Sequence, residues 1–172
     1  MRYLFVLIAA GSALAAPAAA QAPSQRAQAV FAGGCFWCTE SDFDKIPGVL
    51  STTSGYIGGR VAKPTYEQVS AGGTGHIEAV RVVYDPSKVS YAALANRFFR
   101  TIDPLDAGGQ FCDRGDQYRS AIFVADARQR QIAAAAKAKA AAALGKPVAT
   151  LILPPATFYP AEAYHQDYYK KN

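Results

Sequence analysis

The stretch Gly33-Gly34-Cys35-Phe36-Trp37-Cys38-Thr39-Glu40 sets two cysteines three residues apart around a Phe-Trp pair, directly after two glycines. The chain has three cysteines in all, and Trp37 is its one tryptophan. Such a pair suits a metal, a disulfide staple or a reactive thiol. Zinc normally takes a second pair of ligands at matching spacing, and only Cys112, His76 and His165 remain. An odd number of cysteines leaves at least one thiol free, transient or intermolecular. A nucleophilic Cys35 is the third reading. It follows a short apolar run and two glycines and opens a predicted helix. The N–H groups and partial positive charge of a helix start favour a thiolate there. The bland reading is a small buried hydrophobe, but two cysteines three apart at a helix start favour redox chemistry.

A thiolate that attacks a polarised bond needs a proton donor and a shaped pocket. Phe36 and Trp37 are adjacent at a helix start and point in different directions, so they can wall an apolar pocket beside the thiol. Ile77–Tyr84 alternates in the manner of a strand, with Glu78, Val80, Val82 and Tyr84 on one face. A carboxyl among valines is desolvated, which raises its pKa and keeps a proton available near neutrality. His76 shares the face of Glu78 and is a candidate to tune it; His165 reads as an anchor for the last helix. Structure is the expectation for both. Ala71–His76, "AGGTGH", lacks the Lys-Ser/Thr of a phosphate loop.

These groups need elements to hold them. Ala29–Ala32 reads as a buried strand, Cys35–Lys45 as a helix stopped by Pro47-Gly48, and Val49–Tyr56 as extended chain. Gly55–Gly75 reads as a long loop with a turn near Tyr66–Val69. Ser90 caps a helix expected to run through Arg100. Asp103–Gly115 reads as a loop and Ser120–Val124 as a strand. Asp126 and Gln129 form a capping box for an alanine-rich helix that ends before Gly145. Ala149–Leu153 is a further strand, and Ala161–Tyr169 a last helical turn or two. Strands alternating with helices around one long strand predict an α+β or α/β two-layer sandwich.

Residues 1–20 read as an export signal, with Arg2, an apolar run from Tyr3 to Ala10, and Ala18-Ala19-Ala20 as the cleavage site. The apolar run is too short for a membrane anchor. Residues 21–28 are a polar lead-in, and 29–172 suit one domain. The chain carries 18 basic and 13 acidic residues for a net charge of +5. No basic stretch is interleaved with aromatics, so nucleic acid is not implied. Export places the protein in the periplasm or outside the cell, where thiols meet an oxidising environment.

With Cys35, Phe36, Trp37 and Glu78 in view, the chain resembles the peptide methionine sulfoxide reductases of the A type. The resemblance runs from about Phe31 to Asn172. It rests on "GGCFWCTE", "GYIGG", "PTYEQVSAGGTGHIEAVRVVYDP", "DQYRSAIF" and "FYPAEAYHQDYYKKN", five motifs in order. It implies an α+β sandwich around a mixed sheet of ferredoxin-like plait, with neither metal nor organic cofactor. It implies Cys35 as the catalytic cysteine, Phe36 and Trp37 as the cage for the S-methyl group, and Glu78 as the acid. It also implies Tyr66 and Tyr118 as ligands of the sulfoxide oxygen and Asp113 as an acidic residue that helps hold the site through hydrogen bonds. The activity implied is reduction of methionine S-sulfoxide, free or in oxidised proteins, through a Cys35 sulfenic acid. The implied electron donor is an external thiol, a thioredoxin-like protein or dithiothreitol in vitro, and a monomer is expected. Two departures stand out: Phe111-Cys112 occupies a place where most relatives have Gly-Asn, and the chain stops at "YYKKN", where many relatives continue to a recycling cysteine. Cys38, in the same predicted helix, is the favoured partner to resolve Cys35; Cys112, a relay through both, or a direct external thiol stay open.

Overall fold

The computed structural model describes residues 25–172. The expected export signal lies outside the described residues. The elements in chain order are β1 (Ala27–Gly33), α1 (Phe36–Asp44), β2 (Val49–Ile57), α2 (Tyr66–Ser70), β3 (Ile77–Tyr84) and α3 (Tyr91–Phe98). They continue with β4 (Gly109–Gln110), β5 (Asp113–Arg114), β6 (Ser120–Phe123), α4 (Ala127–Leu144), β7 (Leu151–Leu153), β8 (Phe158–Pro160) and α5 (Tyr168–Lys171). One sheet runs β7-β6-β1-β3-β2-β8, and β4 and β5 form a separate small hairpin. Only β6 and β7 are parallel; the other neighbours in the six-stranded sheet are antiparallel. Its centre, β6-β1-β3-β2, is a ferredoxin-like plait: α1 carries the chain from β1 past β3 to β2, and α3 carries it from β3 past β1 to β6. The mixed α+β sandwich expected from the sequence is present.

Alternation in β3 sorts the core. Val80, Val82 and Tyr84 join Phe31, Phe36, Phe43, Leu94 and Phe98 under the helices, while Ile77 and Ala79 pack with Ile57, Ala121 and Phe123 on the opposite face. Phe31, at 0% exposure, stacks on Phe43 at 4.6 Å and packs on Phe98 at 5.3 Å. Burying each such ring contributes roughly 2–3 kcal/mol. In α1 the buried set is Phe36, Thr39, Glu40 and Phe43, the three- and four-residue spacing of one helical face.

Several boundaries differ from expectation for local reasons. Cys35 is not inside α1 but is its N-cap, with φ −50° and ψ 120°, and its carbonyl accepts from both the backbone and the hydroxyl of Thr39. α3 starts on its Ser90 cap but ends at Phe98, where turns at Arg100 and Thr101 replace helical bonds. α4 starts on Asp126 and ends on Gly145 at φ 63°, as expected. The reciprocal Gln129 bond reaches the N–H of Ala125 rather than that of the cap itself. Strand β8 and the β4–β5 hairpin are too short to leave an alternating pattern. The last helical stretch is split, a 3₁₀ turn at Ala163–His165 and then α5, because Asp167 takes φ 52°. No helix among the described residues is long and apolar enough to cross a membrane.

Candidate active site

The cysteine pair sits where β1 delivers the chain to α1, at the edge of the helix-covered face. Gly34 is required at this junction: its φ is 84°, and a Cβ there would come within 2.5 Å of the Gln110 Cβ. The loop bearing Gln110 therefore lies directly against the entry to Cys35. Cys35 is half-buried, whereas Cys38 and Cys112 are exposed, and all three are free thiols.

Glu78 faces this junction from the start of β3, one residue after the strand begins at Ile77. It is 2% exposed, and its Oε2 accepts the backbone N–H of Phe36 at 3.0 Å. Burial pushes its pKa up to about 7; the Phe36 N–H pulls against this, and Asp113 on β5 adds to it by charge repulsion. Cys35 departs from expectation. The N–H groups of Cys38 and Trp37 do lower its pKa, but burial and the neighbouring Glu78 outweigh them and push the thiol up to about 12. A helix start favours a thiolate only while water still reaches the sulfur, and here desolvation is the larger effect. The resting pair is a neutral thiol beside a carboxyl poised near neutrality.

The aromatic walls are held from the C-terminal segment. Phe36 is 1% exposed and packs against Tyr56 at 5.8 Å and His165 at 5.0 Å. The Trp37 indole donates from Nε1 to His165 Nδ1 at 3.0 Å and stacks on Tyr168 at 3.7 Å, nearly parallel. Tyr66 opens α2, whose Thr65–Gln68 capping box fixes its start. Its N–H donates to Glu162 at 2.9 Å, and its ring lies 4.5 Å from His165. Tyr118 ends a 3₁₀ turn, Asp116–Tyr118. Burial first, then the charges of Glu78, Tyr66, Asp113 and Cys35, push its hydroxyl pKa up and keep it protonated. Asp113, Cys35, Cys38 and Phe111 line one depression of about 30 Å³, together with Thr39 and Asp42. All the expected site residues therefore gather at one end of the sheet, except that Cys112 stands outward at the hairpin tip.

The two histidines serve the framework. His76 accepts from the Gly59 N–H at Nδ1 and meets the Val61 carbonyl from Nε2, so both nitrogens are committed to backbone. That leaves it no part in tuning Glu78. His165 does more than anchor the last helix, since its Nδ1 orients Trp37. Burial lowers its pKa, so the ring is neutral and its 3.9 Å approach to Glu162 is not an ion pair. Glu162 is the residue that sequence reasoning missed: it joins the Tyr66 N–H and the Tyr56 hydroxyl at 2.9 Å each. Its only signal was an acid and a histidine three apart in "AEAYHQ". Among the described residues no group of histidine, cysteine and carboxylate side chains could hold a metal. A larger hollow of about 280 Å³ between α3 and α4 has neither cysteine nor carboxylate in its lining.

A family model of peptide methionine sulfoxide reductase matches residues 27–172. Peptide methionine sulfoxide reductase MsrA of Ligilactobacillus salivarius is 57% identical over 147 residues, covering 84% of this chain and 85% of that one. MsrA 2 of Caulobacter vibrioides is 53% identical over 174 residues, covering 100% of this chain and 88% of its own. The crystal structure of reduced Mxr1 from Saccharomyces cerevisiae superposes with a TM-score of 0.81 at 32% identity, over 88% of each chain. A buried carboxyl beside a half-buried thiol under aromatic walls suits thiol chemistry on a small polar centre bearing an apolar group, and the chain belongs to the peptide methionine sulfoxide reductases of the A type, oxidoreductases.

Proposed function

We propose that the protein reduces the S epimer of methionine sulfoxide, free or in proteins, with Cys35 as nucleophile and Glu78 as acid. The observation that carries this reading is the placement of Cys35 at the start of α1 against a buried Glu78 whose pKa is near 7. At neutral pH an appreciable fraction of Glu78 is protonated and can give that proton to the sulfoxide oxygen. Cys35 then attacks the sulfur as its own proton passes to the vacated carboxylate. The oxygen ends on Cys35 as a sulfenic acid, two electrons pass to the substrate sulfur, and methionine leaves. Phe36 and Trp37 wall the methyl group, but burying one methyl is worth only about 0.8 kcal/mol. Discrimination against the thioether product therefore rests on Tyr66, Tyr118 and Glu78, polar groups left unpaired when no oxygen is present. Burial chiefly keeps the proton on Glu78, and the charge of Asp113 adds to that effect.

Recycling uses the thiols of this chain. Cys38 attacks the sulfenic acid, water leaves, and a Cys35–Cys38 disulfide remains. Two features support Cys38 over Cys112. Cys38 lines the same depression as Cys35. Cys112 sits on a hairpin pinned by the buried Gln110 side chain, which bonds the N–H and carbonyl of Asp103 at 2.8 Å each. A thioredoxin-like dithiol then reduces the disulfide; Mxr1 of yeast has been crystallised in complex with Trx2. With its leader removed, the protein would act as a monomer in the periplasm or outside the cell, repairing exported proteins after oxidative stress, and needs neither metal nor organic cofactor. The test is incubation with dithiothreitol and separated S and R epimers of dabsylated methionine sulfoxide. Thioether product from the S epimer alone is expected, and product from neither or from R would overturn the reading.

A further inference from the structure

The β4–β5 hairpin presents an aromatic ring for which the fold itself has no evident use. Gln110 pairs with Asp113, so Phe111 and Cys112 form a two-residue turn. Phe111 takes φ 52°, a left-handed conformation that such turns ordinarily give to glycine. It is also 69% exposed, the most exposed of the large hydrophobic side chains among the described residues. A bulky ring thus sits in a conformation suited to glycine and stays largely in water, so it adds little to the core.

The base of the turn is rigid. Gln110 is 2% exposed and is bonded to Asp103 and to the Gly109 carbonyl. Arg114 pairs with Asp106, and the Gly115 N–H donates to the Gly108 carbonyl at 3.0 Å. The backbone that carries the ring is therefore held in place. The ring borders the depression that contains Cys35 and Cys38, and Cys38 is the exposed sulfur of the two. Of the two sulfurs of a Cys35–Cys38 disulfide, the exposed Cys38 is the one a protein dithiol reaches. The donor protein then covers Phe111.

We infer that Phe111 is the apolar docking contact for the protein dithiol donor, placing the donor's attacking sulfur over Cys38. This rests on the recycling route proposed above. The donor thiolate attacks the Cys38 sulfur, and Cys35 leaves as thiolate and takes up a proton. The donor's second thiolate then attacks the donor sulfur of the mixed disulfide, Cys38 leaves as thiolate and takes up a proton, and the donor departs as its own disulfide, having given up two electrons. Phenylalanine is among the aromatic residues enriched at protein interfaces, and this one stands exposed beside the reacting sulfur. Dithiothreitol has no surface to dock and gains nothing from the ring.

The test compares wild type with Phe111→Gly, which accepts the positive φ and keeps the hairpin, and Phe111→Leu, which keeps apolar bulk. Each is assayed with dithiothreitol and with a reduced thioredoxin regenerated by its reductase, on free and peptide-bound methionine sulfoxide. For Phe111→Gly we expect the thioredoxin KM to rise by about fivefold or more, the loss typical of an interface anchor. Turnover with dithiothreitol should be unchanged on both substrates, and Phe111→Leu should recover most of the thioredoxin KM. Mixed-disulfide formation with a thioredoxin lacking its second active-site cysteine should slow in parallel. An unchanged thioredoxin KM overturns the inference. So does a rise in the peptide KM under dithiothreitol alone, which would make Phe111 a substrate contact. If wild type itself forms no mixed disulfide with that thioredoxin, the recycling route is wrong and the docking inference falls with it.

Discussion

Replacing Glu78 by glutamine should make the protein more stable at neutral pH while nearly abolishing its chemistry. The magnitude follows from the site. Glutamate ordinarily titrates near 4.5, and burial raises Glu78 to about 7. The native state thus holds this proton more tightly than the unfolded chain. Glu78 therefore contributes stability that is complete below about pH 4.5 and is lost as the pH rises through about 7. The difference is worth about 3 kcal/mol once the pH exceeds 7.5. Glutamine cannot ionise, yet its amide oxygen can still accept the Phe36 N–H that Glu78 accepts at 3.0 Å. Urea unfolding at pH 4.5, 6 and 8 should show Glu78→Gln gaining on wild type by about 3 kcal/mol across that range. The series stops near pH 8 because an unfolded cysteine ionises near 9 and Cys35 then adds its own linkage. The same variant should lose about 10²–10⁴-fold in single-turnover reduction, the usual worth of a general acid. A stability difference that stays flat with pH would refute the buried, proton-binding Glu78. Wild-type single-turnover rates would instead make Tyr66 or Tyr118 the acid.

Asp113→Asn should move the high-pH limb of reductase activity to lower pH, because removing that charge lowers the Glu78 pKa; a pH–rate profile under dithiothreitol reads this, and an unmoved limb contradicts it. Glu162→Ala strips partners from the Tyr66 N–H and the buried Tyr56 hydroxyl, and should cost about 1–3 kcal/mol in unfolding while raising KM for the sulfoxide more than it lowers kcat. Cys38→Ser should keep its first turnover but accumulate a dimedone-reactive sulfenic acid and lose turnover with thioredoxin, whereas Cys112→Ser should recycle normally. The reverse pattern would make the hairpin cysteine the resolver.

The parts of this account that could be read in the sequence are those with a period or a cap. The alternation of Ile77–Tyr84 placed Glu78 among valines on the helix-covered face, where it lies. Ser90 and Asp126 cap the helices they were expected to cap. What was not legible depends on partners distant in sequence. Glu162 and Tyr66 are 96 residues apart, and Trp37 and His165 are 128 apart. Strand β8 is three residues long and ends on Pro160, so it has no room for alternation. The thiol of Cys35 shows the limit of a local argument most clearly. A helix start implies a stabilised thiolate, yet the sheet and Glu78 behind it reverse the sign, and that depends on tertiary packing alone.

One measurement bears most directly on the central claim that Cys35 takes the oxygen and hands it on within this chain. Fully reduced enzyme is mixed with one equivalent of a peptide containing methionine S-sulfoxide, without reductant, quenched by alkylation and mapped by mass spectrometry. One equivalent of methionine should appear, with Cys35 joined to Cys38 and Cys112 alkylated. In Cys38→Ser, Cys35 should instead carry one added oxygen. Methionine produced while Cys35 remains alkylatable and unmodified would contradict the account.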